Sequence, residues 1–316
     1  MAYYLGIDGG GSKTTCIVGD ESTILATVTT GPSNITRVGE TRARESLHEA
    51  IVSACGRGKI IASEIKHACI GVAGAGRPEI AGTVRQIVGE VISSEIKVVG
   101  DMEIAMSAAF GDGPGVIVIA GTGSIAYGRN AQGKTARAGG WGFAVSDEGS
   151  AHWIGRTSVA AVLRAIDEAG DDGKDAQSRA DSFPLFRKLK SAWNLHSLEE
   201  FVRFANSTTD FAALLPAMDA GAQAGDELAM YVLAQAGREL ASLAGTVIRR
   251  LAVEGDREVS LVYLAMAGGV FRHSSPVRDT FIEEVRKTDL NVEINPQIID
   301  PVIGALKMAR AAGRRK

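Results

Sequence analysis

Residues 3–18 read YYLGIDGGGSKTTCIV, and this stretch decides the fold. Tyr3–Ile7 reads as a strand, Asp8 to Lys13 as a tight turn, and Thr14–Val18 as a second, β-branched strand. Gly9, Gly10 and Gly11 are more glycine than a hairpin turn needs. Consecutive glycines can present several backbone N–H groups to a phosphate. Ser12 and Thr14 add hydroxyls there, and Lys13 adds a positive charge. Asp8, at the strand end, is placed to hold Mg²⁺ directly or through water. The segment nearly mimics a Walker loop, with Gly6 and Gly11 framing it. Yet Ser12 stands where the lysine belongs, and a strand follows where a helix is required. The expectation is a phosphate-binding turn between two strands; the alternative is a hairpin turn without a ligand.

Outward from this turn, Ile24–Thr29 continues a meander of hairpins. Helix is expected over residues 40–54, 77–91 and 103–110, alternating with strands His67–Val72 and Ile96–Val99. Gly111 to Gly115 concentrates chain breakers and marks a linker. After it the pattern restarts: strand Val116–Ala120, turn Gly121–Ser124, strand Ile125–Arg129 and a third strand near Lys134–Ala138. Helices follow over 151–169, within 183–220 and over 227–251, where apolar residues recur at helical spacing. Strand Val259–Ala267, helix Val277–Lys287, strand Val292–Ile294 and helix Pro301–Ala312 close the chain. The two halves repeat in pattern, not in residue identity. We expect domains at 1–114 and 115–299, with a helix in 300–316 packing back on the first and a cleft between the two.

Composition sets the class. The chain has 316 residues, enough for about two domains at roughly 150 residues each. It is 45% hydrophobic and 22% charged, so it can bury a core and is not disordered. With 34 basic against 37 acidic residues, no excess exists to track a nucleic-acid backbone. Arg310, Arg314, Arg315 and Lys316 read as a solvated helix end. Cys16, Cys55 and Cys69 cannot make a disulfide framework. The opening MAYYLGID has no signal-peptide character, and apolar runs reach about six residues where a bilayer span needs about 20. A soluble, cytoplasmic protein with no membrane partner is expected. Glycine is the outlier, at 38 of 316 residues against a usual ~7%.

Four further segments carry chemistry. Gly121, Thr122, Gly123 and Ser124 form a second candidate phosphate turn between strands. Asp101 follows a strand and precedes a helix; it reads either as a helix-capping carboxylate or as a general base. The run Gly139, Gly140, Trp141, Gly142, followed by residues 146–153 (SDEGSAHW), sets an aromatic among glycines beside two acids. That suits a sugar, whose hydroxyls need carboxylates and whose ring needs an apolar face. Equally, Trp141 could anchor the core and Asp147 cap a helix. Gly268 and Gly269, between a strand and a helix, let a flat base approach the backbone or make an ordinary turn. The five histidines share no metal-ligand spacing, and no nucleophile elbow or recognisable Cys/His pair occurs.

In this order the five segments resemble the actin-like ATPase and sugar-kinase superfamily over nearly the whole chain. The run at 139–153, with Pro32, Ser33 and Asn34, resembles the N-acetylglucosamine kinase-like members of the BadF/BadG/BcrA/BcrD ATPase family. The resemblance implies an α/β fold of two ribonuclease H-like (actin-like ATPase) domains. It implies ATP and Mg²⁺, with ATP on Gly9, Gly10, Gly11, Ser12, Lys13, Thr14, Gly121, Thr122, Gly123, Gly268 and Gly269, and on Gly221 and Ala222 near the nucleotide. It implies Asp101 as the catalytic base, and an amino sugar on Asn34, Asp101, Ser124, Gly140, Trp141, Gly142 and Asp147. A homodimer is the family expectation. Glucosamine and N-acetylmuramic acid are alternative substrates. The same family contains ATPases that activate 2-hydroxyacyl-CoA dehydratases through cluster-binding cysteines, but no cysteine stands in the glycine-rich turns of the second half. A sugar-sensing repressor would need a DNA-binding segment, which a chain opening on the first strand is not expected to carry.

Overall fold

The computed structural model describes residues 2–170, 173, 175–252 and 261–314. In chain order the elements are β1 (Tyr3–Gly9), β2 (Thr14–Gly19), β3 (Ile24–Thr30), α1 (Ile35–Gly58), β4 (Ile65–Val72), α2 (Pro78–Gly89), β5 (Glu95–Val99) and α3 (Asp101–Phe110). Then come β6 (Gly115–Ala120), β7 (Ser124–Arg129), β8 (Thr135–Gly139), α4 (Ala151–Glu168), α5 (Ala176–Ser182), α6 (Pro184–Ala192), α7 (Leu198–Ser207), α8 (Leu215–Gln223) and α9 (Glu227–Leu251). The chain ends with β9 (Val262–Ala267), α10 (Gly269–His273), α11 (Ser275–Arg286), β10 (Val292–Ile299) and α12 (Pro301–Arg314).

Two five-stranded sheets result, ordered β3-β2-β1-β4-β5 and β10-β9-β6-β7-β8. Read backwards, the second is β8-β7-β6-β9-β10, the order of the first with each strand replaced by its counterpart. The repeat of pattern in the sequence is thus a repeat of topology. The chain forms two compact units: Met1–Ile117 with Arg129–Gly133 and Ile299–Lys316, and Val118–Gly128 with Lys134–Ile298.

In the first sheet β1 pairs antiparallel with β2 and parallel with β4, which pairs parallel with β5. Side chains alternate between the faces. Leu5 and Ile7 join Val18, Leu47, Ile51, Ile70 and Val84 in one buried cluster under α1 and α2. Tyr4, Ile17 and Cys69 point the other way, onto Ile104 of α3 and Val302, Ala305 and Leu306 of α12. Cys16 and Cys69 are fully buried, and burial pushes the Cys69 thiol up to about 12. Both are inert packing thiols.

Three sequence expectations shift. Helix α1 begins at Ile35, upstream of Gly39, whose left-handed φ of 78° kinks the helix without ending it. Strand β10 runs to Ile299 through Pro296, because it is an edge strand and the missing N–H disturbs no ladder there. Arg310 is not a solvated tail residue: its guanidinium donates to the Asp20 and Thr23 carbonyls at 2.7 Å each, tying α12 to the β2–β3 turn. Of the strand expected from Val259, residues 259 and 260 lie outside the described residues, as do Arg315 and Lys316.

Helix α12 approaches its neighbours backbone to backbone. A Cβ on Gly304 would sit 1.9 Å from the Ile104 carbonyl oxygen, and one on Gly6 would sit 2.5 Å from the Leu306 amide nitrogen. Neither obstacle is a flexible side chain, so α12 must move to admit even a methyl group. Gly304→Ala is expected to destabilise the fold by about 1–3 kcal/mol or more, the range for overpacking. Chemical denaturation checks this; a variant as stable as the wild type would show that α12 is free to shift.

Candidate active site

The first unit gathers its acids at one edge of its sheet. The parallel register aligns Asp8 of β1 with Gly71 of β4, and Gly71 with Val99 of β5. Asp8, Gly71 and Val99 therefore form one row across three strands, near their C-terminal ends, where α/β sheets bind ligands. Two residues beyond Val99 comes Asp101, the first residue of α3. Gly71 leaves the middle of the row without a side chain; Ile104 of α3 fills that space, since a Cβ there would lie 2.3 Å from its Cδ1. The helix is thereby seated close against the strand that separates the two acids.

Asp101 does not occupy the N-cap position; Gly100 does, and its N–H donates to Glu103 Oε1 at 3.1 Å. Asp101 Oδ1 accepts from the Met102 N–H at 3.0 Å. Burial raises its pKa above the usual carboxylate value, against the lowering pull of the Met102 amide and its own. Asp8 is raised to about 7, by burial first and then by the negative charges of Asp101 and Asp300, with Lys13 opposing. Asp300 escaped the sequence reading. It immediately precedes Pro301 at the start of α12, and the signal was there: a strand, an acid and a helix start, the same grammar as at Asp101.

The glycine turn is built around Gly10. Its N–H donates to the Lys13 carbonyl at 2.9 Å, closing the turn, and its carbonyl accepts from the Ser33 and Asn34 amides at 3.1 and 3.2 Å. Thr14 is fully buried, its hydroxyl 2.7 Å from both the Gly31 carbonyl oxygen and the Ser33 hydroxyl. Gly9 is small because of Ser33: a Cβ there would lie 2.6 Å from its Oγ. Asn34 is the N-cap residue of α1, but its side chain caps nothing. Its Oδ1 is buried with no hydrogen-bond partner among the described residues. A buried acceptor left unpaired costs about 1–3 kcal/mol, a cost that a donor from outside the chain would relieve. The turn, Asn34, Asp8 and Asp101 all belong to the first unit.

The second unit repeats the turn and then diverges. The Gly121 N–H donates to the Gly123 carbonyl at 2.9 Å, closing the turn as at Gly10. The Gly121 and Thr122 carbonyls accept from the Ala151 and His152 amides at the start of α4. Ser124 is buried and donates to the Glu148 carbonyl at 2.7 Å. Asp147 is buried and left-handed, with φ 65°. Its Oδ1 accepts from the Gly142 N–H at 3.3 Å, and its Oδ2 lies 2.7 Å from where a Cβ on Gly123 would be. Asp147 thus joins the turn to the loop at 139–150. It does not cap α4; Ser150 does, accepting from the Trp153 N–H. Trp141 is no core anchor: it is 69% exposed, with the Arg137 guanidinium 4.3 Å from its ring centroid.

The glycines separate by what faces them. A Cβ on Gly121 or Gly142 would meet nothing within 4 Å, and one on Gly269 only the His273 ring at 3.9 Å. These positions are open. Gly268 is closed by the Ala120 carbonyl oxygen at 2.2 Å, Gly140 by Ile125, and Gly221 by Ala229 and Leu185. The segment Gly221 to Asp226 is a Schellman motif: the Asp226 N–H donates to the Gly221 carbonyl, the Gly225 N–H to that of Ala222, and Gly225 is left-handed at φ 80°. Asp226 then caps α9. Helix-end chemistry accounts for that part of the motif.

Residues 5–309 match the model of the BadF/BadG/BcrA/BcrD ATPase family. The chain belongs to that family. Among its relatives is an N-acetylmuramic acid/N-acetylglucosamine kinase of Clostridium acetobutylicum, 33% identical over 98% of this chain and 99% of its own. An N-acetyl-D-glucosamine kinase of Dictyostelium discoideum is 29% identical over 97% of each chain. A Chromobacterium violaceum structure, provisionally named an N-acetylglucosamine kinase, superposes with a TM-score of 0.74 at 23% identity, covering 98% of this chain and 99% of its own. The two-sheet α/β architecture is therefore the two-domain actin-like fold that the resemblance implied.

Family membership raises the question of Mg²⁺. Among the described residues no group of three or more His, Cys, Asp or Glu side chains is arranged to hold a metal by itself. Asp8 nevertheless fits: a carboxylate crowded by two other acids gains from a cation, and Mg²⁺ commonly takes one or two protein carboxylates, with water and phosphates completing its shell.

The raised pKa of Asp8 has a stability consequence. Between about 4 and 7 the folded protein holds a proton that the unfolded chain has lost, so ionising Asp8 weakens the fold as pH rises through that window. Asp8→Asn is expected to be more stable than the ligand-free wild type at pH 8, with the difference vanishing by about pH 4. Denaturation midpoints across pH check this; parallel curves would show that Asp8 titrates normally.

Proposed function

We propose that the protein is an ATP-dependent sugar kinase that phosphorylates the 6-hydroxyl of an amino sugar, with N-acetylglucosamine as the principal substrate. The observation that carries this reading is the convergence within one unit of the Gly10 turn, the raised carboxyls of Asp8 and Asp101, and the orphaned Asn34 Oδ1. An acceptor oxygen without a donor suits a sugar hydroxyl, and a buried carboxyl with a raised pKa suits a general base. The activities for which the two kinase relatives are named support the substrate class. We take residues 1–114 with 300–316, and 115–299, as the two actin-like domains.

In this mechanism Asp101 accepts the proton of the 6-hydroxyl as that oxygen attacks the γ-phosphate in line. Gly9, Gly10, Gly11, Ser12, Lys13 and Thr14, with Gly121, Thr122 and Gly123, receive the phosphates; Gly268, Gly269, Gly221 and Ala222 border the adenosine. Asp8 would hold Mg²⁺, which neutralises phosphate charge. Asn34, Ser124, Gly140, Trp141, Gly142 and Asp147 orient the sugar. Thr14 and Ser124 act chiefly through their neighbours, because their hydroxyls are already engaged within the protein. Positioning and charge neutralisation carry most of the rate.

Among the described residues no helix is long and apolar enough to cross a membrane. A cytoplasmic homodimer is part of this proposal. The reductive-activator reading is disfavoured because Cys16, Cys55 and Cys69 are all buried in the first unit, where none can reach a shared cluster.

A coupled ADP-release assay with ATP·Mg²⁺ tests the reading against N-acetylglucosamine, N-acetylmuramic acid, glucosamine, N-acetylmannosamine and glucose. Stimulation by an amino sugar is expected, strongest with N-acetylglucosamine; turnover indifferent to every sugar would overturn it. Asp101→Asn is expected to lower turnover about a hundredfold or more, from the general-base range, with sugar binding partly kept. Near-normal turnover in that variant would remove Asp101 from the role.

A further inference from the structure

The second unit buries a carboxylate that the mechanism does not use. Asp219 of α8 is only 8% exposed, and Ser274 Oγ donates to its Oδ1 at 2.5 Å. Burial raises its pKa, while the Ser274 bond and then the charge of His273 pull it back. Burying a carboxyl for one neutral hydrogen bond is costly, and an apolar residue would cost less there.

Ser274 is equally unusual. It is the N-cap residue of α11, where a serine normally accepts from an amide in the first turn, yet it makes no such bond. Its hydroxyl goes instead to a carboxylate 55 residues earlier in the chain. Its own N–H donates to the Val270 carbonyl at 2.9 Å, so Ser274 also terminates α10, the short helix that begins at Gly269. Asp219 lies two residues before Gly221. The bond thus joins the strand-to-helix turn at Gly268–Gly269 to the helix carrying Gly221 and Ala222. Both ends are already closely packed, Gly268 against the Ala120 backbone and Gly221 against the Ala229 and Leu185 side chains. Two local preferences are given up for one tertiary link, a pattern expected where function requires it.

We infer that Asp219 and Ser274 form a positioning pair that holds the Gly268–Gly269 turn at the spacing a nucleotide base requires. This rests on the reading of that turn as the adenosine site. The pair touches neither the sugar nor the reacting atoms, so it sets nucleotide affinity and leaves the chemical step alone.

The test is binding of a fluorescent N-methylanthraniloyl-ADP, followed by steady-state kinetics. Ser274→Ala and Asp219→Ala are expected to weaken nucleotide binding and raise KM for ATP about tenfold, with kcat and the sugar KM within about twofold. Ser274→Thr and Asp219→Asn keep a donor and an acceptor and are expected to restore binding to within about twofold of wild type. Should Ser274→Ala not fold, Ser274→Cys, nearly isosteric and a weak donor, is expected to shift binding about threefold. Nucleotide binding unchanged in Ser274→Ala or Ser274→Cys would overturn the inference. So would losses in kcat and both KM values that track thermal stability, because these mark a purely structural bond. A wild type that binds no nucleotide would instead defeat the adenosine reading beneath it.

Discussion

Backbone contact between α12 and its neighbours organises the first unit. Gly6 and Gly304 let the last helix lie directly on the first strand and on α3, with no side chain between. That contact covers the second face of the sheet and buries Tyr4, Ile17 and Cys69. It also brings the residue preceding α12, Asp300, close enough to Asp8 for its charge to be felt. One packing constraint therefore accounts both for the closure of the core and for much of the crowding of acids at the sheet edge. The same glycine that looked like the opening of a Walker loop, Gly6, works as a packing surface.

Burial, more than mutual proximity, sets the acids at that edge apart. A lone surface aspartate ionises near 4 and is a weak base. Desolvation raises both Asp8 and Asp101, and mutual repulsion adds to the shift at Asp8. The result is an edge of raised carboxyls, and such groups cluster at functional sites. The strand register produces this, since Asp8, Gly71 and Val99 share one row and α3 begins two residues beyond it.

The two units use the same turn differently. At Gly10 the turn's carbonyl holds Ser33 and Asn34, and an amide oxygen is left waiting. At Gly121 the turn's carbonyls hold the start of α4, Ser124 and Asp147 are tied into the protein, and Asp147 sits in a left-handed conformation that a non-glycine residue adopts only when its surroundings enforce it. The first arrangement leaves an acceptor unpaired among the described residues, and the second is a braced frame.

Much of this was legible in the order of residues. Alternating apolar runs separated by glycine turns determined the strands. The restart after Gly115 determined the duplication, and an acid after a strand marked both Asp8 and Asp101. These are local signals, carried by side-chain period and by the backbone freedom of glycine. Local signals could not say which glycines face a ligand and which admit a neighbouring backbone, because Gly121 and Gly268 look alike until the carbonyl of Ala120 is in place. Nor could they show that Trp141 is exposed, that Ser274 abandons its cap for Asp219, or that Asp300 joins Asp8 across nearly the whole chain. Those facts depend on contacts between residues far apart in sequence, which exist only once the sheets and helices have packed.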